Sequence, residues 1–191
     1  RKASQTVVTV TPDPSKYGEK VTISASVTDA AGKSVGTRGR VIFEWVAPDG
    51  GDGAEASVVD GKATVRARLS RNKDTYVFGQ FDDPTAEYGD SWQEVRPRVL
   101  KGDQTITFTP PYDLTVGDDQ VLVVDTASDL DADVETTTPE VCSIEDVPGG
   151  VGVTALALGT CSIIASQPGD EDWNAADPVT RSFGVVRHTA H

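Results

Sequence analysis

Residues 160–176 read TCSIIASQPGDEDWNAA, and 85 residues earlier the stretch 75–91 reads TYVFGQFDDPTAEYGDS. Each opens on a Thr and continues in alternation, with Cys161, Ile163 and Ala165 answering to Tyr76, Phe78 and Gln80. Each then turns in an acidic segment bearing Gly or Pro and closes on an aromatic residue, Trp173 or Tyr88. Period-two alternation that ends in such a turn is a signature of β-hairpins. The chain therefore reads as two copies of one module.

The openings of the copies agree as well. Gln5-Thr6 through Thr9-Val10-Thr11-Pro12 matches Gln104-Thr105 through Thr107-Phe108-Thr109-Pro110 at offsets of 98 or 99 residues. The offset narrows toward the C-terminus because the first copy has the longer middle, including the Gly-rich stretch 48–53, which reads as a loop insertion.

Seven strands are expected in each copy, at 6–11, 21–27, 41–45, 56–59, 62–69, 75–81 and 94–99, then at 105–108, 121–127, 134–137, 141–144, 151–156, 160–166 and 180–186. Val41, Phe43 and Trp45 share one face, where a sandwich core takes a large aromatic. Asp60-Gly61 is a two-residue turn of the tight-hairpin type, and Gly149-Gly150 is its expected counterpart. With no sustained helical period, the fold class is all-β: two tandem seven-stranded immunoglobulin-like Greek-key β-sandwiches, domain 1 over 1–100, domain 2 over 101–187 and a tail over 188–191. Trp45 and Tyr76 are expected in the core of the first domain.

At 191 residues the two copies are each of the size at which a sandwich buries its own core. No run approaches the ~20 apolar residues of a membrane helix. The absence of Met, the initiator included, reads as an excised piece of a longer protein. Charge is not shared between the copies: residues 1–101 hold 15 Lys and Arg against 14 Asp and Glu, whereas residues 102–191 hold 2 against 16. Such an acidic second half disfavours nucleic acid and anionic membranes as partners and favours solubility or divalent cations.

Cys142 and Cys161 lie 19 residues apart in the second copy, each in an apolar alternating segment. Pairing fits an exported chain; two buried free thiols are the alternative. We expect them joined, each reaching from its strand into the core.

The strand 61–65, Gly-Lys-Ala-Thr-Val, followed by Thr-aromatic-x-apolar and by the turn Gly169-Asp170-Glu171-Asp172-Trp173, resembles the bacterial immunoglobulin-like domains that recur in tandem on bacterial surface and secreted proteins. The second copy resembles members that carry Cys at the positions of Cys142 and Cys161. The first departs, with Pro84-Thr85 where Gly-Asp is usual and no cysteines. The resemblance implies an extracellular or cell-surface spacer, stalk or adhesion module, without catalysis or cofactor, monomeric within a longer chain and facing a protein or glycan at the surface. Two other classes are weighed beside it: an accessory glycan-binding module of an extracellular hydrolase, and a decoration domain of a phage virion.

Residue by residue, chemistry is sparse. The two histidines, His188 and His191, fall in the polar tail, and no Ser or Cys stands in a nucleophile motif. A Lys–Asn crosslink needs Lys and Asn on adjacent core strands, but Asn72 and Asn174 both fall in predicted loops, which leaves Asp in place of Asn as the open alternative. Lys62, Arg66 and Arg68, extended by Arg38 and Arg40, form a candidate polyanion face against the simpler reading of a solvated sheet surface. Asp129, Asp131 and Asp133 in one loop, with Asp170 and Asp172 in another, are weak calcium candidates. They lack the Gly and distal Glu of an EF-hand loop, so solvated loop acids are the default. Together with Glu171, the same acids are expected to meet Arg96, Arg98 and Lys101 at the junction and to set a salt-sensitive bend by charge pairing, with a calcium ion bound among the carboxylates as the alternative.

Overall fold

A computed structural model of the chain describes residues 1–109 and 111–188. Pro110 of the repeated opening and His191 of the expected tail lie outside the described residues. Among the described residues every helical class is absent and the regular elements are strands, and the chain divides into two compact units, Arg1–Gly102 and Asp103–His191. Each unit packs its β-sheets around its own core.

The first unit contains β1 (Ser4–Thr11), β2 (Ser15–Lys16), β3 (Lys20–Asp29), β4 (Arg40–Ala47), β5 (Gly50–Ser57), β6 (Lys62–Arg68), β7 (Val77–Asp82), β8 (Ser91–Val95) and β9 (Val99–Leu100). One sheet runs β1-β3-β6 and the other β5-β4-β7-β8, all antiparallel, while β2 pairs in parallel with β9. Alternation turns Val21, Ile23, Ala25 and Val27 of β3 toward Val41, Phe43 and Trp45 of β4, and all are buried. Thr and Ser fill the opposite positions of β3, as a half-solvated antiparallel sheet requires.

The second unit contains β10 (Ile106–Phe108), β11 (Leu114–Thr115), β12 (Asp119–Leu122), β13 (Val124–Thr126), β14 (Asp133–Thr136), β15 (Cys142–Val147), β16 (Gly150–Ala155), β17 (Gly159–Ser166) and β18 (Val179–Val186). Its ladders are β12-β16-β15, β10-β13 and β11-β18-β17-β14. Leu122, Val153, Ile163 and Ala165 form the centre of its core.

Four expectations change. First, the Gly-rich stretch is no loop: the chain turns at Pro48-Asp49 and β5 begins at once, with Ala47 opposite Gly50. Its residues are almost all exposed, so no apolar alternation marks it, yet backbone pairing to β4 needs no side chains. Second, Asp60 and Gly61 both have positive φ, 49° and 74°, the geometry of a type I′ turn. A Cβ on Gly61 would stand 2.9 Å from the carbonyl oxygen of Val27, so only glycine fits. Yet β5 and β6 part after the single bridge Val59–Lys62 and join opposite sheets, so the turn crosses the sandwich instead of closing a hairpin.

Third, the counterpart turn sits at Pro148-Gly149, with Val147 opposite Gly150, one residue before the expected place. Pro followed by Gly at φ 87° is the type II sequence. Fourth, the strand expected over 121–127 breaks at Val123, whose carbonyl takes the N–H of Thr109 at 3.1 Å; β12 then pairs with β16 and β13 with β10.

The register of the defining repeat also shifts. On β7 and the residues flanking it, Thr75, Val77, Gly79, Phe81 and Asp83 point inward, and Tyr76 and Phe78 are only half-buried. Cys161, Ile163, Ala165 and Gln167 point inward on β17. Pairing Pro84 with Pro168, rather than Thr75 with Thr160, brings the buried sets into line. With a side-chain period of two, the one-residue difference exchanges the faces, so Tyr76 leaves the core.

Candidate functional site

Cys142 and Cys161 are joined, with Cα atoms 5.7 Å apart. Cys142 begins β15 of one sheet and Cys161 lies on β17 of the other, so the bond ties the two layers through the core, and both residues are fully buried.

The turn after β17 shows what the Gly-Asp-x-x-aromatic sequence at 169–173 does. Gly169 has φ 77°, and a Cβ there would lie 2.4 Å from the carbonyl oxygen of Trp173. Asp170 Oδ1 then accepts the N–H groups of Asp172 and Trp173 at 2.8 and 2.9 Å. In the first unit the cap has moved upstream. Buried Asp83 accepts the Thr85 hydroxyl at 2.7 Å and the N–H groups of Thr85, Glu87 and Tyr88 at 3.0–3.1 Å. The Thr85 hydroxyl bond outweighs the opposing effect of burial and, with the backbone donors, holds the Asp83 carboxyl below the ordinary carboxylate value.

Of the candidate polyanion residues, Lys62, Arg66 and Arg68 stand exposed on the outward side of β6, the edge strand of its sheet. Lys20 of β3 lies opposite Arg68 and joins them. The rest of the outward side of β3 and β6 carries Thr22, Ser24, Ser26, Thr28 and Thr64, and the strands of the sheet, β1 with Gln5, Val7, Thr9 and Thr11 included, present no carboxylate there. Arg68 Nε donates to the Gly18 carbonyl at 3.1 Å, which holds its guanidinium in place. Arg38 and Arg40 do not extend this face. Arg40 pairs with Glu55 at 3.0 Å and Asp82 at 3.2 Å, and Arg38 pairs with Glu87.

Where β6 meets the β4–β5 turn, an open cleft of about 410 Å³ lies at the edge of the sandwich. Lys20, Arg66 and Arg68 line one wall, Asp49 and Asp52 the other, and Trp45 is among the lining residues. The Trp45 indole Nε1 is buried with no hydrogen-bond partner. Sequence reasoning placed Trp45 in the core and missed its role as a cleft wall, because such a cleft depends on which strands face one another.

The acidic candidates separate into two settings. Asp129, Asp131 and Asp133 line an open cavity of about 550 Å³ with Asp125 and Asp146, whereas Asp170 serves the turn above. Among the described residues no three His, Cys, Asp or Glu side chains are grouped so that they could hold a metal ion. The asparagines are engaged in loops: Asn72 Oδ1 accepts the Asp74 N–H and Asn174 Nδ2 donates to Asp103. His188 is exposed beyond β18. On the outer side of the first unit's four-stranded sheet, exposed Trp92 lies against Phe78, ring centroids 5.7 Å apart, a pair no motif announced.

The sandwich architecture defines the class: an all-β immunoglobulin-like protein. No family model and no curated protein matches the chain. Among solved structures, invasin, a bacterial integrin-binding protein, is similar over 95% of this chain and 39% of its own, at 16% identity and a TM-score of 0.50. Domains 4 and 5 of the S-layer protein SbsC match over 95% and 97% at 12% identity and a TM-score of 0.40. Salmonella alpha-2-macroglobulin matches over 95% of this chain at 15% identity and a TM-score of 0.40, and the chain spans 16% of that protein's length. At these identities the likeness to invasin is one of fold.

Proposed function

We propose that the chain is a non-catalytic structural or adhesive segment, two tandem bacterial immunoglobulin-like domains of a secreted or surface-anchored bacterial protein. The observation that carries the reading is the disulfide between the two sheets of the second unit. Such bonds form and persist in oxidising compartments and are rare where thiols are kept reduced. The sandwich fold shared with a bacterial integrin-binding protein agrees with this reading, although fold alone does not assign function. On this reading the units act as spacers that hold other parts of a longer chain away from the cell, and a partner is a protein or glycan met outside it.

The test is accessibility. Antibody raised against the chain is expected to label intact cells of the encoding bacterium, or to detect the protein in their medium, and protease added to intact cells should abolish cell labelling. Detection only after lysis would overturn the reading.

A further inference from the structure

The cleft beside β6 combines three features that a solvated sheet surface does not need. Lys20, Arg66 and Arg68 converge on one wall, and no carboxylate pairs with Lys20 or Arg66 among the described residues. Trp45 lines the same cleft, and its indole N–H is buried with no hydrogen-bond partner, a donor whose desolvation no group of the chain offsets. Asp49 and Asp52 supply acceptors on the facing wall. Lys62 continues the row of cations along β6, four residues from Arg66, about 13 Å away at the rise of a strand.

We propose that the first unit binds an acidic polysaccharide bearing carboxylates, with one sugar unit in the cleft and the polymer extending along β6. The arginine forks suit carboxylates, to which planar guanidinium groups donate paired hydrogen bonds. The facing aspartates decide the class of polymer. They accept hydroxyl protons from a sugar, hydroxyls that a polyphosphate or polyglutamate chain does not offer. Charge complementarity supplies attraction, while Trp45 and the aspartates distinguish a sugar from any other anion. The proposal goes beyond the spacer reading and does not depend on where the parent protein resides, so failed surface labelling and failed binding are separate results.

Affinity electrophoresis and titration calorimetry of the whole chain test it, with polygalacturonate as the probe and dextran, polyphosphate and poly-L-glutamate as comparisons. Binding is expected with polygalacturonate alone, weakening as salt rises. Arg66→Gln with Arg68→Gln should reduce affinity at least tenfold while circular dichroism and the melting transition stay unchanged, both residues being exposed. Lys62→Gln with Arg66→Gln is a second variant, which leaves the Arg68 bond to Gly18 intact; it should also weaken binding. Trp45→Phe keeps the packing and removes the donor, and should cost several-fold in affinity without altering the salt dependence. Equal binding of poly-L-glutamate or polyphosphate would reduce the site to ion exchange and overturn the proposal. So would absence of binding to polygalacturonate, or unchanged affinity in both arginine variants.

Discussion

Phe43, Trp45 and Phe81 span the gap between the sheets in the first unit, whereas in the second the same layer holds the Cys142–Cys161 bond with Leu122, Ile163 and Phe183 around it. The strands differ in step with this. β1, β3, β4 and β6 run for 8, 10, 8 and 7 residues, while β10, β12, β13 and β14 run for 3, 4, 3 and 4. Long ladders and four buried aromatics, Tyr88 being the fourth, give the first unit its cohesion by burial, at roughly 25 cal/mol per Å² of apolar surface. Shorter ladders in the second coincide with a covalent tie that limits the unfolded chain instead. The units also route their middle strand differently. β5 joins the sheet of β4, but β15 joins that of β16, which is what brings Cys142 opposite β17. One module can thus be closed by packing or by a crosslink, and the choice follows from which sheet receives that strand.

The contrast can be broken at its strongest point by truncating Trp45 to Ala. The first unit should lose about 3–5 kcal/mol, the range for a buried aromatic, with the loss localised by hydrogen exchange to peptides from residues 1–102. Replacing both Cys142 and Cys161 with Ala should cost about 3 kcal/mol by the loop-closure estimate and confine accelerated exchange to the second unit. A variant whose first unit opened as readily would show that the units do not rely on separate cores.

Asp83 sharpens the comparison of the two turns. Asp83→Ala leaves the N–H of buried Tyr88 without its acceptor and should destabilise the first unit by about 2 kcal/mol, measured by urea titration. Because the folded-state value of Asp83 lies below the ordinary 3.8, its contribution is present above that pH and is lost as pH falls from there through the folded-state value. An acid titration of unit 1 stability should therefore flatten in Asp83→Asn. The smallest effect tests the register. Val77→Ala, at a fully buried position, should cost about 2 kcal/mol, and half-buried Tyr76→Ala about 1 kcal/mol. The reverse order would restore the alignment that starts both repeats on Thr.

The all-β class, the two-fold repeat, the burial of Val41, Phe43 and Trp45, and the positions of Cys142 and Cys161 were all legible in the order of residues. Each rests on local information: alternation, Gly and Asp at turns, and similarity between distant stretches. A strand such as β5 carried no such mark, because an exposed edge strand of Gly, Asp, Ala, Glu and Ser is held by backbone pairing and its side chains report only solvent. The slip between Tyr76 and Val77 has a related cause. Thr75 and Thr160 look equivalent by type, but inward and outward positions differ only in what faces them, and the aligned prolines at Pro84 and Pro168 outweigh the aligned threonines.

For the candidate site, sequence alone named Lys62, Arg66 and Arg68 and put them on one side of a strand, since positions two or four apart share a face. It also grouped Arg38 and Arg40 with them, by charge alone. The tertiary structure decided otherwise, pairing those two with Glu55, Asp82 and Glu87 from distant segments and bringing Lys20, Trp45, Asp49 and Asp52 to the cleft instead. Period and composition act within a few residues of chain, so they determined the strands and their faces. Which sheet a strand joins depends on the packing of segments tens of residues apart, and that alone decided the sheet-to-sheet disulfide and the cleft.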